Sequence, residues 1–328
     1  MSTELISQHG TGSGQGLRPD GGGPGGDEHP LRTSVLDGLW RSMRPKQWIK
    51  NCFLFAGLIF TLDHRHPPRD VVLVLVAFAL FSLLSSSVYL FNDIVDRAQD
   101  RLHPTKRHRP IAAGQVPLAL AAWCAGGLAL GALMGSLALN RDFGLIACLY
   151  FAITLAYSFR LKHVVIVDVL TLASGFVLRA VAGALVISVK ISPWLLVCTT
   201  LFALFLGLAK RRHELVLLAG DAGNHRKILD EYSIEMLDQM INIVASSTLM
   251  AYSLYTFNSE TGRGHRSLMI TIPFVIYGIF RYLYIVQKKS GGGSPATDLL
   301  EDAPLFVNLV LWVLTSATIM VLSYYGFG

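Results

Sequence analysis

Nine apolar stretches, each near the length needed to cross a bilayer, follow one another from residue 48 to the end of the chain. They are Trp48–Leu62, Val71–Phe91, Leu118–Leu139, Phe143–Phe159, Val164–Val189, Pro193–Ala209, Met240–Phe257, Leu268–Val286 and Pro304–Tyr325. A spanning helix takes roughly 20 apolar residues. The chain is therefore expected to be an all-α membrane protein, a nine-helix transmembrane bundle with polar connections capping one side. Composition agrees: 52% of the residues are hydrophobic, 15% are charged, and mean hydropathy is +0.48. A soluble domain of this size carries more polar surface than that.

The formal net charge of +6 would suit nucleic acid in a soluble protein, but in a membrane protein basic residues gather in cytoplasmic loops. No nucleic-acid partner is expected. Cys52, Cys124, Cys148 and Cys198 lie inside apolar stretches without pairing or metal spacing, so they read as small hydrophobes. Residues 1–38 form a polar, glycine-rich tail without an apolar signal core. It is expected to be a disordered cytoplasmic tail and not a cleaved leader, leaving residues 39–328 as the membrane domain.

Orientation follows from Lys and Arg. Of the 28, 20 fall in segments on the same side as the N-terminus, six on the opposite side and two, Arg179 and Arg281, inside spans. That side is expected to be cytoplasmic. It also holds the long mixed-charge connections at 92–117 and 210–239, so function is expected to face the cytoplasm.

The second stretch runs straight into N-D-I-V-D-R-A-Q-D-R-L-H-P-T-K-R-H-R-P-I-A-A-G, from Asn92 to Gly114. If the helix continues to Asp100, then Asp93, Asp96 and Asp100 share a face, and Asn92 lies one turn from Asp96. Three carboxylates at a membrane boundary repel one another unless a cation sits between them, and carboxylate oxygens suit Mg²⁺ shared with substrate phosphates. The plainer alternative is a solvated helix end whose acids pair with Arg97, Arg101 and Lys106. Lys106, Arg107 and Arg109 could grip a second phosphate.

Further candidates stand at other span ends. Lys46, Lys50 and Asn51 begin the first stretch, where the lysines could bind substrate or only snorkel. Asp168 and Arg179 lie three helical turns apart in the fifth with Gly175 between them, either facing a cavity or forming an interhelical ion pair. Tyr157 and Ser158 could bond a sugar hydroxyl or belong to an aromatic belt. Lys210 and Arg211 open the 210–239 connection, which is long enough for an amphipathic helix closing over a site.

Four blocks resemble the UbiA superfamily of intramembrane prenyltransferases and, within it, the decaprenyl-phosphate phosphoribosyltransferase branch. They are R-P-K-Q-W-I-K-N from Arg44, the Asn92–Gly114 block, Y-S-F-R-L-K-H from Tyr157 and L-R-A-V-A-G from Leu178. The resemblance covers about residues 40–328 and implies the UbiA-type bundle. It implies Mg²⁺ at Asp93 and Asp96 with Asp100, and transfer of phosphoribose from phosphoribosyl pyrophosphate to a polyprenyl (decaprenyl) phosphate in cell-wall arabinan precursor synthesis. Lys46, Lys50 and Lys162 are then candidates for the lipid phosphate or the ribose phosphate, and Lys210 and Arg211 for the pyrophosphate. Arg179 and Lys162 join the two metal-binding aspartates as catalytic candidates. Aromatic-acceptor members carry a second D-x-x-x-D motif after the fourth span, whereas Leu161–Asp168 here offers only Asp168. This disfavours prenyl transfer to an aromatic acceptor. A transporter or lipid-binding protein is disfavoured by the missing repeats and broken helices. Homo-oligomerisation is left open.

Overall fold

The computed structural model describes residues 34–61, 66–103, 105–190, 192–218, 229, 231–258, 266–289 and 291–324. Among these the secondary structure is helical throughout. Helix α1 (Val35–Ser42) leads into a 3₁₀ segment, Pro45–Phe55, and the single turn α2 (Ala56–Ile59). There follow α3 (Pro68–Val95), α4 (Arg97–Leu102), α5 (Leu118–Leu139), α6 (Arg141–Phe159) and α7 (Val167–Val186). The remainder comprises α8 (Pro193–Leu218), α9 (Ile234–Asn258), α10 (Ile272–Lys288), α11 (Pro295–Glu301) and α12 (Ala303–Tyr324). Helix α1 begins ahead of the boundary placed at residue 38 by composition.

Seven helical stretches among the described residues are long and apolar enough to cross a membrane: α3, α5, α6, α7, α8, Ser267–Lys288 and α12. The other two expected spans take different forms. Met240–Phe257 lies in α9, where Asn242, Ser246, Ser247, Thr248, Ser253 and Thr256 dilute its apolarity. Over its described residues, the stretch from Trp48 is the 3₁₀ segment plus α2 rather than one α-helix. Hydropathy reports apolarity alone, and a 3₁₀ run of 11 residues is uncommon because its hydrogen bonds are poorer.

That first segment owes its shape to its neighbour. A Cβ on Gly183 of α7 would stand 1.9 Å from the Leu54 carbonyl oxygen, and one on Gly57 would stand 2.9 Å from the Ala184 Cα. Small residues thus let two backbones touch, which is how helices associate where no hydrophobic effect drives them together. Leu54, Val74, Phe81, Leu84, Phe143, Tyr150 and Ala182 fill the core between this segment and α3, α5, α6 and α7. A second core joins α8, α9 and α10 through Phe205, Leu237, Ile241 and Tyr282, and reaches α7 at Val169. Trp123, Leu130, Phe280 and Leu314 point outward and are well exposed, as a lipid-facing surface requires.

Candidate functional site

Helix α3 ends where its polar block begins. Val95 is its last residue, and Asp96 departs from helical geometry before α4 resumes, with the Asp100 N–H donating to the Asp96 carbonyl. The expected single face is therefore bent. Asp93 and Asp100 still meet, because Arg109 Nη1 donates to Asp93 Oδ1 at 3.2 Å and to Asp100 Oδ2 at 2.7 Å. Asp96 turns the other way, to Lys162 Nζ at 3.5 Å.

Asp93 is 2% exposed and carries a second guanidinium, Arg44, whose Nη2 donates to the same Oδ1 at 2.5 Å. Arg44 has φ 54° ahead of Pro45 and stacks on Tyr89, its guanidinium carbon 4.9 Å from the ring centroid. Sequence reasoning did not single out Arg44. Only its place at the head of the R-P-K-Q-W-I-K-N block marked it, since a left-handed arginine reaching across to α3 is a tertiary feature. The acids thus meet Arg44, Arg109 and Lys162, drawn from three separate elements, where the plainer alternative expected Arg97, Arg101 and Lys106.

Local packing explains why Arg109 can be so placed. The block after α4 folds back with Ala113 N–H on the Arg109 carbonyl and Gln115 N–H on the Pro110 carbonyl. Arg101 Nε donates to the Ala112 carbonyl at 2.9 Å. Ile111 is buried among Leu90, Val116, Ala121 and Ala125, and Gly114 takes the positive φ of 78° that closes the turn. The apolar I-A-A-G end is the anchor for the basic residue before it. Lys106 opens a short 3₁₀ turn in the same loop, while the side chain of exposed Arg107 donates from Nε to the His108 ring.

A second network lies under the first segment. Asn51 Nδ2 donates to Ser82 and Ser85 Oγ at 3.0 and 3.3 Å, and Asn51 Oδ1 accepts from Arg179 Nε at 2.7 Å. Arg179 also donates to the Gly175 carbonyl and to Tyr150 Oη, each at 2.8 Å. Its partners among the described residues are neutral. The interhelical ion pair offered as the plainer alternative is therefore made by Asp168, with Arg211 of α8, and not by Arg179; Gly175, whose Cβ would stand 3.3 Å from Arg179 Nη1, makes room for the arginine's own side chain. Arg44 and Arg179 both lie within electrostatic reach of half-buried Lys50, so three cations converge here. Lys46 is exposed at the segment's start.

Asp168 belongs to a third network. It is fully buried, and its Oδ2 accepts from Arg211 Nε at 2.6 Å, Arg211 itself being 1% exposed. Arg211 also donates to Glu214 and, at 3.1 Å, to Tyr157 Oη. Tyr232 Oη donates to Asp168 Oδ1 at 3.0 Å and accepts from the Ile166 N–H at 2.7 Å. Burial pushes the Tyr232 hydroxyl up to about 12, so it remains a donor at neutral pH. Ile166 is the centre of a γ-turn with φ 68° and ψ −44°, closed by Val167 N–H on the Val165 carbonyl. A β-branched residue there costs on the order of 1–3 kcal/mol and persists only when its surroundings enforce it. Lys210 and Arg211 ride on α8; the closing helix expected in 210–239 falls largely on 219–228, outside the described residues.

Mg²⁺ fits this donor set by chemistry, since Asp93, Asp96 and Asp100 offer hard oxygens at one helix end. No cluster of three or more metal-type side chains is gathered among the described residues. Guanidinium and ammonium groups neutralise the acids instead.

Comparison with known proteins agrees with this architecture. The profile of the UbiA prenyltransferase family matches residues 52–310. The decaprenyl-phosphate phosphoribosyltransferase of Mycolicibacterium smegmatis is 34% identical over 85% of this chain and 91% of its own length. That of Corynebacterium glutamicum is 35% identical over 85% of this chain and 86% of its own. A UbiA homolog from Archaeoglobus fulgidus, solved with GPP and Mg²⁺, superposes with a TM-score of 0.67 over 87% of this chain and 99% of its own, at 17% identity. With its helical bundle, its Asp93 cluster and these matches, the chain is a multi-pass membrane protein and belongs to the UbiA prenyltransferase family.

Proposed function

We propose that this protein transfers 5-phosphoribose from phosphoribosyl pyrophosphate to a polyprenyl phosphate, releasing pyrophosphate. The observation that carries the reading is one polar end of the bundle where the Asp93, Asp96 and Asp100 carboxylates face basic residues from three elements, while Asp168 is spent on Arg211 and Tyr232. Relatives covering most of the chain bear the phosphoribosyltransferase name. A site that activates a prenyl diphosphate with two carboxylate pairs would need a second free acid near Asp168, so prenyl transfer to an aromatic acceptor is the weaker reading.

In this scheme a lipid phosphate oxygen forms the bond to the anomeric carbon as the bond from that carbon to pyrophosphate breaks. The lipid phosphate is already anionic, so the site must position it and screen charge rather than remove a proton. Asp93 and Asp96, with Asp100, would hold Mg²⁺, which neutralises charge developing on the leaving pyrophosphate. Arg109, Lys106 and Arg44 stand where they can take its outer oxygens, and charge-assisted contacts that strengthen as the leaving group departs favour the transition state. Exposed Arg107 would add to the positive field that draws in the anionic substrate. Arg179 and Lys50, with Asn51 orienting the guanidinium, present cations to a second phosphate. Lys46, Asn92, Lys162, Tyr157 and Lys210 border the same end, and we assign them to substrate.

We place this end in the cytoplasm from the distribution of Lys and Arg. Purified protein given Mg²⁺, labelled phosphoribosyl pyrophosphate and decaprenyl phosphate should move label into the lipid, and Asp93→Ala should lose at least about 100-fold of that rate. Label that stays in water, with prenyl diphosphate consumed instead, would overturn the reading.

A further inference from the structure

We infer that Tyr232 is a positioning residue of this site: its hydroxyl pins the backbone turn at Ile166 and the Asp168 carboxylate, and through them sets Lys162 and Tyr157. The inference rests on the assignment of Lys162 and Tyr157 to substrate made above. Tyr232 touches no candidate substrate group itself, yet one buried oxygen makes two bonds to different parts of α7's entry. It accepts the Ile166 N–H at 2.7 Å and donates to Asp168 Oδ1 at 3.0 Å.

Each bond leads to the site by a short path. Ile166 stands four residues beyond Lys162, and between them lies only the strap 163–165, whose Val164 N–H bonds the Leu161 carbonyl. The turn direction at Ile166 therefore decides where the Leu161–His163 segment lies and whether Lys162 Nζ reaches Asp96, 3.5 Å away. The other path runs from Asp168 through Arg211 to Tyr157 Oη, with contacts of 2.6 and 3.1 Å. Isoleucine does not adopt φ 68° unaided, so something must hold it. The Tyr232 hydroxyl is the group placed to do so. It comes from the residue pair just before α9, whose ring is buried beside Leu229, Leu237 and Ile241. The packing of α8 and α9 is thereby linked to the geometry of residues 157–168.

Tyr232→Phe keeps the ring and removes only the two bonds. In the full-length protein it should lower kcat/KM for phosphoribosyl pyrophosphate about tenfold, as expected for one lost buried hydrogen-bonding group. In a Lys162→Ala, Tyr157→Phe background, where both paths are cut, the same change should cost less than about twofold, because residues acting through one another are not additive. Hydrogen exchange of the peptide over 161–168 should rise in Tyr232→Phe while α5 is unchanged. Equal costs in both backgrounds, or unchanged exchange at 161–168, would overturn the positioning role. The exchange arm needs no turnover, so it decides the backbone claim independently of the proposed reaction.

Discussion

Asp93 accepts from Arg44 and Arg109 at once, and Arg109 also holds Asp100. Arg109→Ala would leave Asp93 with Arg44 alone and take from buried Asp100 its arginine, so phosphoribosyl transfer should fall by about 100-fold and require more Mg²⁺ for half-maximal rate; steady-state rates across a Mg²⁺ titration check both. Asp168 and Arg211 form the most deeply buried ion pair, at 0% and 1% exposure. Removing one partner strands a charge, so Asp168→Ala should destabilise by about 3–5 kcal/mol, whereas Asp168→Leu with Arg211→Met should cost much less. Thermal unfolding in detergent separates the two, and equal losses would contradict the ion-pair account. At this scale the nearness of Asp93 to Asp100 was legible from spacing, whereas the break at Asp96 that turns it to Lys162 was not. Nor were the acids' partners. Arg44 reaches Asp93 across 49 positions, and Arg179 meets Asn51 and Tyr150 on other elements, because a long side chain is placed by its neighbours and not by its own helix stripe.

Among the elements, the contact between the first segment and α7 is the most exacting. A methyl on Gly183 has nowhere to go but into the Leu54 backbone, so Gly183→Ala should push the segment carrying Lys50 and Asn51 off α7. Yield of folded protein and transfer activity should fall together. In the connection between α10 and α12, Asp302 takes Arg281 through both oxygens at 3.0 Å, Lys289 at 3.0 Å and the Leu305 N–H at 3.1 Å. The Arg281 hydrogen bonds, followed by that from Lys289, hold its carboxyl well below the usual carboxylate range. A depressed pKa contributes stability above the unfolded value, near 3.9 for aspartate, and loses it as pH falls through the folded one. Asp302→Asn should therefore lower Tm at pH 7, with the gap to the parent protein narrowing progressively below about pH 4. Most helices could be read directly from apolar length: α5 occupies the expected Leu118–Leu139. The 3₁₀ form of the first segment could not, because backbone approach at Gly57 and Gly183 sets it, and hydropathy is blind to that.

For the molecule as a whole, the separate networks around Asp93, Arg179 and Asp168 gather the basic and acidic residues of distant blocks at one polar end. With the nine crossings expected from the sequence and the proposed cytoplasmic N-terminus, the far end of α12 would lie outside. Alkaline phosphatase fused after residue 328 should be active in cells and a fluorescent protein there dark; the reverse would overturn the orientation. The fold class was readable because nine apolar stretches leave few alternatives. The reaction was readable only through the four sequence blocks, since charge clusters alone admit many phosphate chemistries.

The central claim is transfer of phosphoribose to a lipid phosphate, and incubation of the purified protein with labelled phosphoribosyl pyrophosphate, decaprenyl phosphate and Mg²⁺ tests it most directly. The account predicts label in the lipid phase, abolished by EDTA and by Asp93→Ala. Folded protein that leaves all label in water across several polyprenyl phosphates would contradict it.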